Sequence, residues 1–391
     1  MIIILESTLT GKKIRGVTME KKFVVDQKSL LNVLASMQPI CTKRTTIDAT
    51  SFILFHIGPR ELILKSTDLE ISLQSSCTIK ESDLTENQSF LVSGRRIFEL
   101  VKELEGDIQF TFDSQSLSLR SNTVHLTLNI KDAQEFPPFP ERIENLMHMD
   151  AKFMLEMLDK VAFLIPQNNA NPALNGLFLE VSDQDFKMTT TDGHCLAQVT
   201  STKYTLADAK KWLLPRRAIF EIKKILEAFQ DATLFVGVCG NQVVFSGSAF
   251  NFFTKLLVDP FPNYKPILDK NGFIPATVER ADFVKTLRRS ACLLSGQFIA
   301  TKFEFGEQLL NVSMHNKEVG KLEEALPIDG FQGAQLEVRF YAPYLLNGLQ
   351  AFNDTKSILY LKNSSRPIIF ESNNQELRLT YLVMPVSPTA A

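Results

Sequence analysis

His194 and Cys195 are the neighbouring side chains in this sequence that could carry out nucleophilic chemistry. They follow Asp192 and Gly193 in the segment 190–196. An imidazole beside a thiol can activate a cysteine nucleophile. Adjacent residues of a strand point to opposite faces, which makes this pair a poor candidate for proton transfer. The Asp-Gly step indicates instead a tight hairpin turn between two strands.

Motifs of other enzyme classes are absent from the sequence. It contains no phosphate-binding loop, no dinucleotide fingerprint, no zinc-protease motif and no serine-hydrolase elbow. The five histidines show no metal-ligand spacing: His56, His125, His148, His194 and His315. Five scattered cysteines without a CxxC pair argue against a zinc site or a disulfide framework and fit a reducing cytoplasm. We therefore expect no catalytic residue, no metal and no cofactor.

Composition and charge limit the class of protein. The chain has 391 residues, with 42 Lys and Arg against 44 Asp and Glu, and a net charge of −2. These values are those of a globular chain and exclude a disordered or collagen-like one. No apolar run approaches the length that spans a bilayer. Residues 1–18 do not fit a signal peptide and are interpreted as an N-terminal extension before Met19, either native or a non-native addition.

Basic residues are concentrated locally although the whole chain is not basic. They recur on or beside predicted helices, without matching acids. The groups are Lys43 and Arg44; Arg95, Arg96 and Lys102; Arg216, Arg217, Lys223 and Lys224; and Lys285, Arg288 and Arg289. Helices that present lysine and arginine in this way would contact phosphates and little else. Such binding depends on salt, ignores base sequence and permits sliding along a duplex.

The elements that would position these residues repeat three times. Amphipathic helices are predicted at 27–37, 150–165 and 281–294. A strand that runs into a second helix begins at Phe90, Trp212 and Leu336, at intervals of 122 and 124 residues. Alternating strands follow each of these helices. The pattern predicts three α+β domains at 19–140, 141–273 and 274–391, because repeated modules share one fold.

Several short strings, in order, carry a family resemblance. They occupy residues 67–70, 174–176, 191–194, 255–259, 261–264 and 381–385. Together with the threefold repeat, they make the chain resemble bacterial DNA polymerase III beta subunits, the sliding clamps. The resemblance covers residues 19 to about 387.

The resemblance implies a fold and a function. Each domain would place helices toward a central pore and sheets outside, and two chains would join head to tail, domain I against domain III. This homodimeric ring would encircle double-stranded DNA without sequence preference. It would tether the catalytic subunit of the replicative polymerase and bind the clamp loader and other clamp-motif proteins of replication and repair. It would have no enzymatic activity and no membrane partner, and would act in the cytoplasm at the nucleoid.

The resemblance also implies sites, residue by residue. A cleft between domains II and III would bind a short, mostly apolar peptide; its residues would be Leu174, Thr191, Gly193, His194, Leu196, Pro262, Ile267, Leu382, Met384 and Pro385. The DNA-binding residues would be Lys43, Arg44, Arg95, Arg96, Gln167, Asn168, Arg216, Arg217, Arg288 and Arg289. The dimer interface would contain Leu126, Leu293 and Leu294.

The chain departs from the family pattern at the rim of this cleft. Cys195 and Pro266 stand where the family often has arginines, Ser387 replaces a basic residue, and residues 388–391 extend past the usual end.

Two alternatives to the clamp remain open. One is a three-module enzyme with residues 191–194 in its active site, and the other is an interaction scaffold that does not bind DNA.

Overall fold

The computed structural model describes residues 21–294, 299–374 and 376–386. The predicted extension 1–18 and the departures at 387–391 lie outside these ranges. The chain divides into two compact units, one formed by the residues up to Leu69 with Gln74–Pro138 and the other by Glu70–Leu73 with the residues from Phe139 onward.

Domain I has, in the residues described, eight strands and two α-helices. In chain order they are β1 (Lys21–Asp26), α1 (Gln27–Cys41), β2 (Phe52–Ile57), β3 (Glu61–Thr67), β4 (Ile71–Ser82), β5 (Gln88–Ser93), α2 (Gly94–Lys102), β6 (Asp107–Phe112), β7 (Ser116–Ser121) and β8 (Val124–Asp132). The strands are ordered β1-β6-β7-β8-β5-β2-β3-β4, and β1 also pairs with β4.

The two helices of domain I pack closely against each other. The Asp26 side chain accepts from Ser29 N at 3.0 Å and caps the N-terminus of α1. At Gly94, the first residue of α2, a Cβ would lie 2.3 Å from the sulfur of Cys41. The predicted helix 27–37 is therefore confirmed, but it continues through Pro39 to Cys41, because its last turn is packed against α2.

Domain II repeats the same order of elements. They are β9 (Glu144–Asp150), α3 (Ala151–Val161), β10 (Gly176–Val181), β11 (Phe186–Thr191), β12 (Cys195–Ser201), β13 (Lys210–Pro215), α4 (Arg216–Phe229), β14 (Thr233–Cys239), β15 (Gln242–Ser246) and β16 (Phe250–Lys255). The strands form two sets of four, β13-β10-β11-β12 and β16-β15-β14-β9.

Domain III repeats the order once more. Its elements are β17 (Ile274–Glu279), α5 (Arg280–Ala291), β18 (Thr301–Phe305), β19 (Leu309–Asn316), β20 (Gly320–Pro327), β21 (Leu336–Phe340), α6 (Ala342–Leu349), β22 (Lys356–Leu361), β23 (Ile368–Glu371) and β24 (Arg378–Val383). The strands form the orders β20-β19-β18-β21 and β24-β23-β22-β17. The order strand, helix, four strands, helix, three strands thus occurs three times, which confirms the predicted repeat.

Domains II and III share one sheet. β12 pairs antiparallel with β24, from Cys195 opposite Val383 to Thr200 opposite Arg378. The result is the eight-stranded sheet β13-β10-β11-β12-β24-β23-β22-β17. At the helix-covered face of this junction, a Cβ on Gly348 of α6 would fall 1.9 Å from the Tyr381 ring. Gly348 is therefore required for α6 to approach β24.

Candidate functional site

An apolar row of side chains crosses the shared sheet at the boundary between domains II and III. Thr191, Leu196, Leu382, Ile369 and Tyr360 are successive direct partners on β11, β12, β24, β23 and β22. Directly paired residues project from the same face of a sheet. Leu196 and Leu382 are 4% and 1% exposed, so they form a buried floor rather than a surface patch.

A hydrophobic cluster is built on this floor, and we call it the junction cluster. Its buried members are Leu196, Tyr264, Ile369 and Leu382, and its half-buried members are Phe178, Phe261, Ile267, Leu268, Phe273, Tyr360 and Met384. Four predicted cleft residues, Leu196, Ile267, Leu382 and Met384, belong to it. Sequence reasoning missed the aromatic members and Ile369. The string 261–264 and the alternating strand at 367–370 were the available signals.

The hairpin between β11 and β12 adjoins the cluster. Gly193 adopts a φ of +95°, a conformation that other residues rarely adopt. A Cβ at this position would lie 3.9 Å from Leu174, which places two predicted cleft residues next to each other. The His194 carbonyl accepts from Met384 N at 2.9 Å, and the His194 ring stacks on Tyr344 with centroids 5.7 Å apart.

Neither of the two prolines of the predicted cleft belongs to the junction cluster. Pro262 is exposed, between Phe261 and Tyr264, and Pro385 is half-buried directly after Met384. Thr191, the remaining predicted residue, is half-buried, and its hydroxyl donates to the Cys195 carbonyl at 2.6 Å.

The geometry of the hairpin argues against nucleophilic chemistry. Asp192 Oδ1 accepts from His194 N at 2.8 Å and from Cys195 N at 2.7 Å, which makes this carboxylate a turn-stabilising group. Burial raises the pKa of the Cys195 thiol to about 12. A thiol with that pKa is protonated at neutral pH and is a weak nucleophile. Across the described part of the chain, no group of three or more His, Cys, Asp or Glu residues is placed to hold a metal ion.

The expectation that the basic groups lack matching acids is wrong. Arg95 and Arg96 both contact Glu99, at 2.7 and 3.3 Å. Lys285 pairs with Asp282 at 3.3 Å, Lys224 pairs with Glu221 at 3.2 Å, and Lys223 pairs with Asp159 at 2.5 Å. Some of these acids lie one turn away on the same helix, whereas Asp159 comes from another helix.

Arg288 and Arg289 are consecutive but differ in environment. Arg289 Nε donates to Glu324 Oε2 at 2.9 Å, and a second guanidinium nitrogen bonds the other carboxylate oxygen. Glu324 lies on β20, so this contact could not be read from the helix pattern. Arg288 is exposed and has no acid within ion-pair distance among the described residues. Of these two guanidinium groups, Arg289 is therefore held by an acid, and Arg288 is the one directed to solvent.

The remaining predicted DNA-binding residues have mixed environments. Lys43 lies 3.7 Å from the buried Asp68, whereas Arg44 is exposed. Arg216 Nε donates to the Ile165 carbonyl at 3.0 Å, and its guanidinium lies 4.4 Å from the centre of the Phe220 ring. Arg217 is half-buried at the start of α4, and Gln167 and Asn168 are exposed between α3 and β10.

The predicted interface leucines belong to both units. Leu126 is half-buried on β8, in the first unit, and Leu293 and Leu294 are half-buried after α5, in the second. The Leu293 carbonyl accepts from Asn316 Nδ2 at 2.6 Å, which fixes this end of α5 to the end of β19.

Comparison with known proteins identifies the family. Three family models of the DNA polymerase III beta subunit match in succession: the N-terminal domain at residues 21–140, the central domain at 148–263 and the C-terminal domain at 265–387. The chain belongs to the DNA polymerase III beta subunit family. The beta sliding clamp of Pseudomonas aeruginosa is 26% identical over 370 residues, covering 93% of this chain and 99% of the relative. That of Staphylococcus epidermidis is 23% identical over 376 residues, with the same coverage.

Solved structures of the family have the same fold. The DNA polymerase III subunit beta of Pseudomonas aeruginosa superposes with a TM-score of 0.85 at 23% identity and covers 93% of this chain and 99% of its own. The beta subunit of Thermotoga maritima gives 0.84 at 20% identity, over 94% and 99%. The three-domain clamp fold predicted from the sequence is therefore confirmed.

Proposed function

We propose that the chain is a DNA sliding clamp, a ring that encircles duplex DNA and holds the replicative polymerase on it. Membership of the family supports this function. The observation that carries it is the junction of β12 with β24, because it shows how one domain of this repeat continues into the next.

The repeat extends this junction to a second copy of the chain. β12 is the third of the four consecutive strands in domain II, and its equivalent in domain III is β20, which ends the order β20-β19-β18-β21. β24 is the last strand of domain III, and its equivalent in domain I is β8. Residues 124–129 of β8 pair with β7 alone among the pairings described. We infer that β20 of one copy pairs with β8 of another, which yields a head-to-tail homodimer.

Unpaired strand edges favour this assembly. An exposed edge presents free N–H and C=O groups that readily bind another strand. On the part of β8 that pairs only with β7, the half-buried Leu126 and Leu128 alternate with exposed residues, and Leu322 is half-buried on β20. Joining the two edges would cover these side chains and satisfy the backbone groups. Leu293 and Leu294 would lie in the same interface.

The helix pairs would face the DNA. Each domain packs its two helices together, α1 with α2, α3 with α4 and α5 with α6. Arg44 and Arg288 supply exposed positive charge, and such groups bind phosphates without reading bases. Lys43, Arg95, Arg96, Arg216 and Arg289, which are held by acids or a carbonyl, would set the local potential rather than each bind one phosphate.

The junction cluster would bind short apolar peptides of partner proteins. A DNA polymerase III beta subunit of Pseudomonas aeruginosa has been solved with griselimycin bound. We infer that this chain also binds such peptides, and that the polymerase catalytic subunit, the clamp loader and other clamp-motif proteins compete for its cleft.

The clamp itself would catalyse no reaction and would act on DNA in the cytoplasm. No helix in the described ranges is long and apolar enough to cross a membrane.

Retention on circular DNA tests the proposal. The chain would be assembled on a nicked circular plasmid by a bacterial clamp loader and passed through a sizing column in high salt. A clamp stays with the circle and is lost after the plasmid is linearised, because only topology holds it. Equal retention on the circular and the linear plasmid would contradict a topological clamp, and retention on neither would favour a scaffold.

A further inference from the structure

The segment that joins domains II and III, residues 256–273, crosses the junction-cluster face of the shared sheet, and we call it the strap. At its start, Leu257 N donates to the Leu213 carbonyl at 2.9 Å. Phe261 then stacks on Phe178 of β10, with ring centroids 4.9 Å apart and planes 11° apart. The strap thus lies against domain II before it reaches domain III.

A polar row lies beside the apolar row on the same face. Thr189, Gln198, Thr380 and Glu371 are successive direct partners on β11, β12, β24 and β23. Gln198 Nε2 donates to Thr189 Oγ1 at 2.9 Å. Thr189, Gln198 and Thr380 are all buried, and buried polar groups need hydrogen-bond partners. The strap covers this row and supplies polar groups to both ends of it.

The first polar tie of the strap is in domain II. The Tyr264 hydroxyl donates to Glu180 of β10, and Lys211 of β13 lies 3.8 Å from the same carboxylate. The Glu180 side chain is 12% exposed, so the bond is shielded from competing water. Burial, with the neighbouring Glu180, raises the pKa of Tyr264 above its usual value, and the hydroxyl stays a donor across the physiological range.

The second polar tie is in domain III. Lys270 Nζ donates to Glu371 Oε2 at 2.6 Å and lies 4.4 Å from the centre of the Tyr360 ring. Lys362 Nζ donates to the Asn271 carbonyl at 2.7 Å. These contacts fix the end of the strap to β22 and β23.

Between the two ties, the strap presents apolar side chains to the cluster. Residues Lys265–Leu268 form a short 3₁₀ turn, and Ile267 N donates to the Tyr264 carbonyl at 3.1 Å. Ile267 and Leu268 pack against the buried members of the junction cluster. Their positions therefore depend on the anchors on either side.

We propose that Tyr264 and Lys270 are positioning residues, whose bonds to Glu180 and Glu371 hold Ile267 and Leu268 as one wall of the peptide cleft. The inference rests on the proposed peptide-binding function and adds residues outside the predicted cleft. Anchoring at both ends preorganises the wall, and a preorganised site loses less free energy on binding. Affinity for a peptide then depends on two polar bonds that act through the strap.

Binding of griselimycin, measured by calorimetry, tests the anchors. Tyr264→Phe and Lys270→Met each remove one polar tie and keep most of the side-chain volume. We expect each to weaken binding about three- to tenfold, the size of one lost hydrogen bond. Glu180→Gln keeps an acceptor for Tyr264, and Lys270→Arg keeps a charged donor, so both should bind within about twofold of the wild type.

Matched controls separate positioning from general stability. Tyr204→Phe removes a hydroxyl that accepts from Asp150 N at 2.9 Å, away from the strap. Lys302→Met removes a 3.0 Å ion pair with Glu304 on β18. Both controls should leave binding unchanged even if they lower the melting temperature. Lys270 is half-buried, so Lys270→Met remains informative if Tyr264→Phe fails to fold.

A double-mutant cycle with Ile267→Ala shows whether the anchors act through the strap. If they do, Tyr264→Phe costs less affinity in the Ile267→Ala background than in the wild type. The inference would be overturned if the losses of binding free energy were additive, or if both anchor variants bound griselimycin like the wild type. Either result would leave the proposed cleft unaffected. A wild-type chain that does not bind griselimycin would overturn the proposed cleft itself, and the inference with it.

Discussion

Leu196 of β12 lies directly opposite Leu382 of β24, and each of these side chains belongs to a different domain. Both are almost fully buried, at 4% and 1% exposure. The floor of the junction cluster is therefore also the packing contact that joins domain II to domain III. Under the proposed function, partner binding and domain packing would depend on the same side chains, while the half-buried Met384 packs against this floor.

This arrangement predicts that two nearby truncations have different effects. Leu382→Ala opens a cavity and should lower the free energy of unfolding by about 2–5 kcal/mol, measured in urea. Met384→Ala removes a half-buried side chain and should mainly weaken peptide binding, by roughly 1–2 kcal/mol in a titration.

Met147→Ala is the matched control, because Met147 is half-buried on β9, away from the cluster. It should leave the peptide titration unchanged. Equal losses of affinity in Met147→Ala and Met384→Ala would remove Met384 from the cleft.

The proposed dimer interface predicts a change in mass. Leu293→Asp combined with Leu294→Asp would place charge in an apolar interface, which is unfavourable unless the charge is paired. Light scattering should then give the mass of a single chain, 44.1 kDa, in place of twice that value for the wild type. Val258→Asp, at a residue that is 94% exposed, should remain dimeric. A double-aspartate variant of unchanged mass would contradict the assignment of these leucines.

Arg288 and Arg289 should differ in the salt dependence of DNA binding. Arg288→Ala removes an exposed guanidinium and should reduce the slope of log K against log salt by about 1. Arg289→Ala should reduce it less, since this guanidinium is held by Glu324. The slopes of the two variants are compared by measuring their affinity for one duplex at several salt concentrations. The reverse order of effects would place Arg289, and not Arg288, against phosphate.

The cysteines should differ in their reaction with iodoacetamide. Burial raises the pKa of Cys41, Cys77 and Cys195 to about 12. The thiolate is the reactive form, and it is populated only as the pH approaches the pKa. At pH 8 the folded protein should be alkylated at the exposed Cys292 and spared at these three, as read by peptide mass spectrometry. Rapid labelling of Cys195 would revive the enzyme hypothesis.

Much of the fold followed from the sequence because each repeat carries the same local signals. The strands entering the second helices at Phe90, Trp212 and Leu336 lie in β5, β13 and β21, as predicted. α5 ends at Ala291, three residues before its predicted end, and Cys292 serves as its C-cap. Boundaries of this kind depend on packing and capping more than on periodicity.

The site was less accessible from the sequence, since its important contacts join distant parts of the chain. Arg289 meets Glu324 across 35 positions and Tyr264 meets Glu180 across 84. Neither spacing leaves a periodic signal. Leu196 and Leu382 were placed in the cleft only through the family resemblance, whereas Ile369, their neighbour in the same row, was missed despite its alternating strand.

The continuous sheet across β12 and β24 also limits how the chain can be divided. A fragment ending after β16 would expose the outer edge of β12, together with Leu196, to solvent. A bare strand edge flanked by apolar side chains favours intermolecular stacking into aggregates. Dissection into single domains is therefore expected to yield insoluble material from domain II.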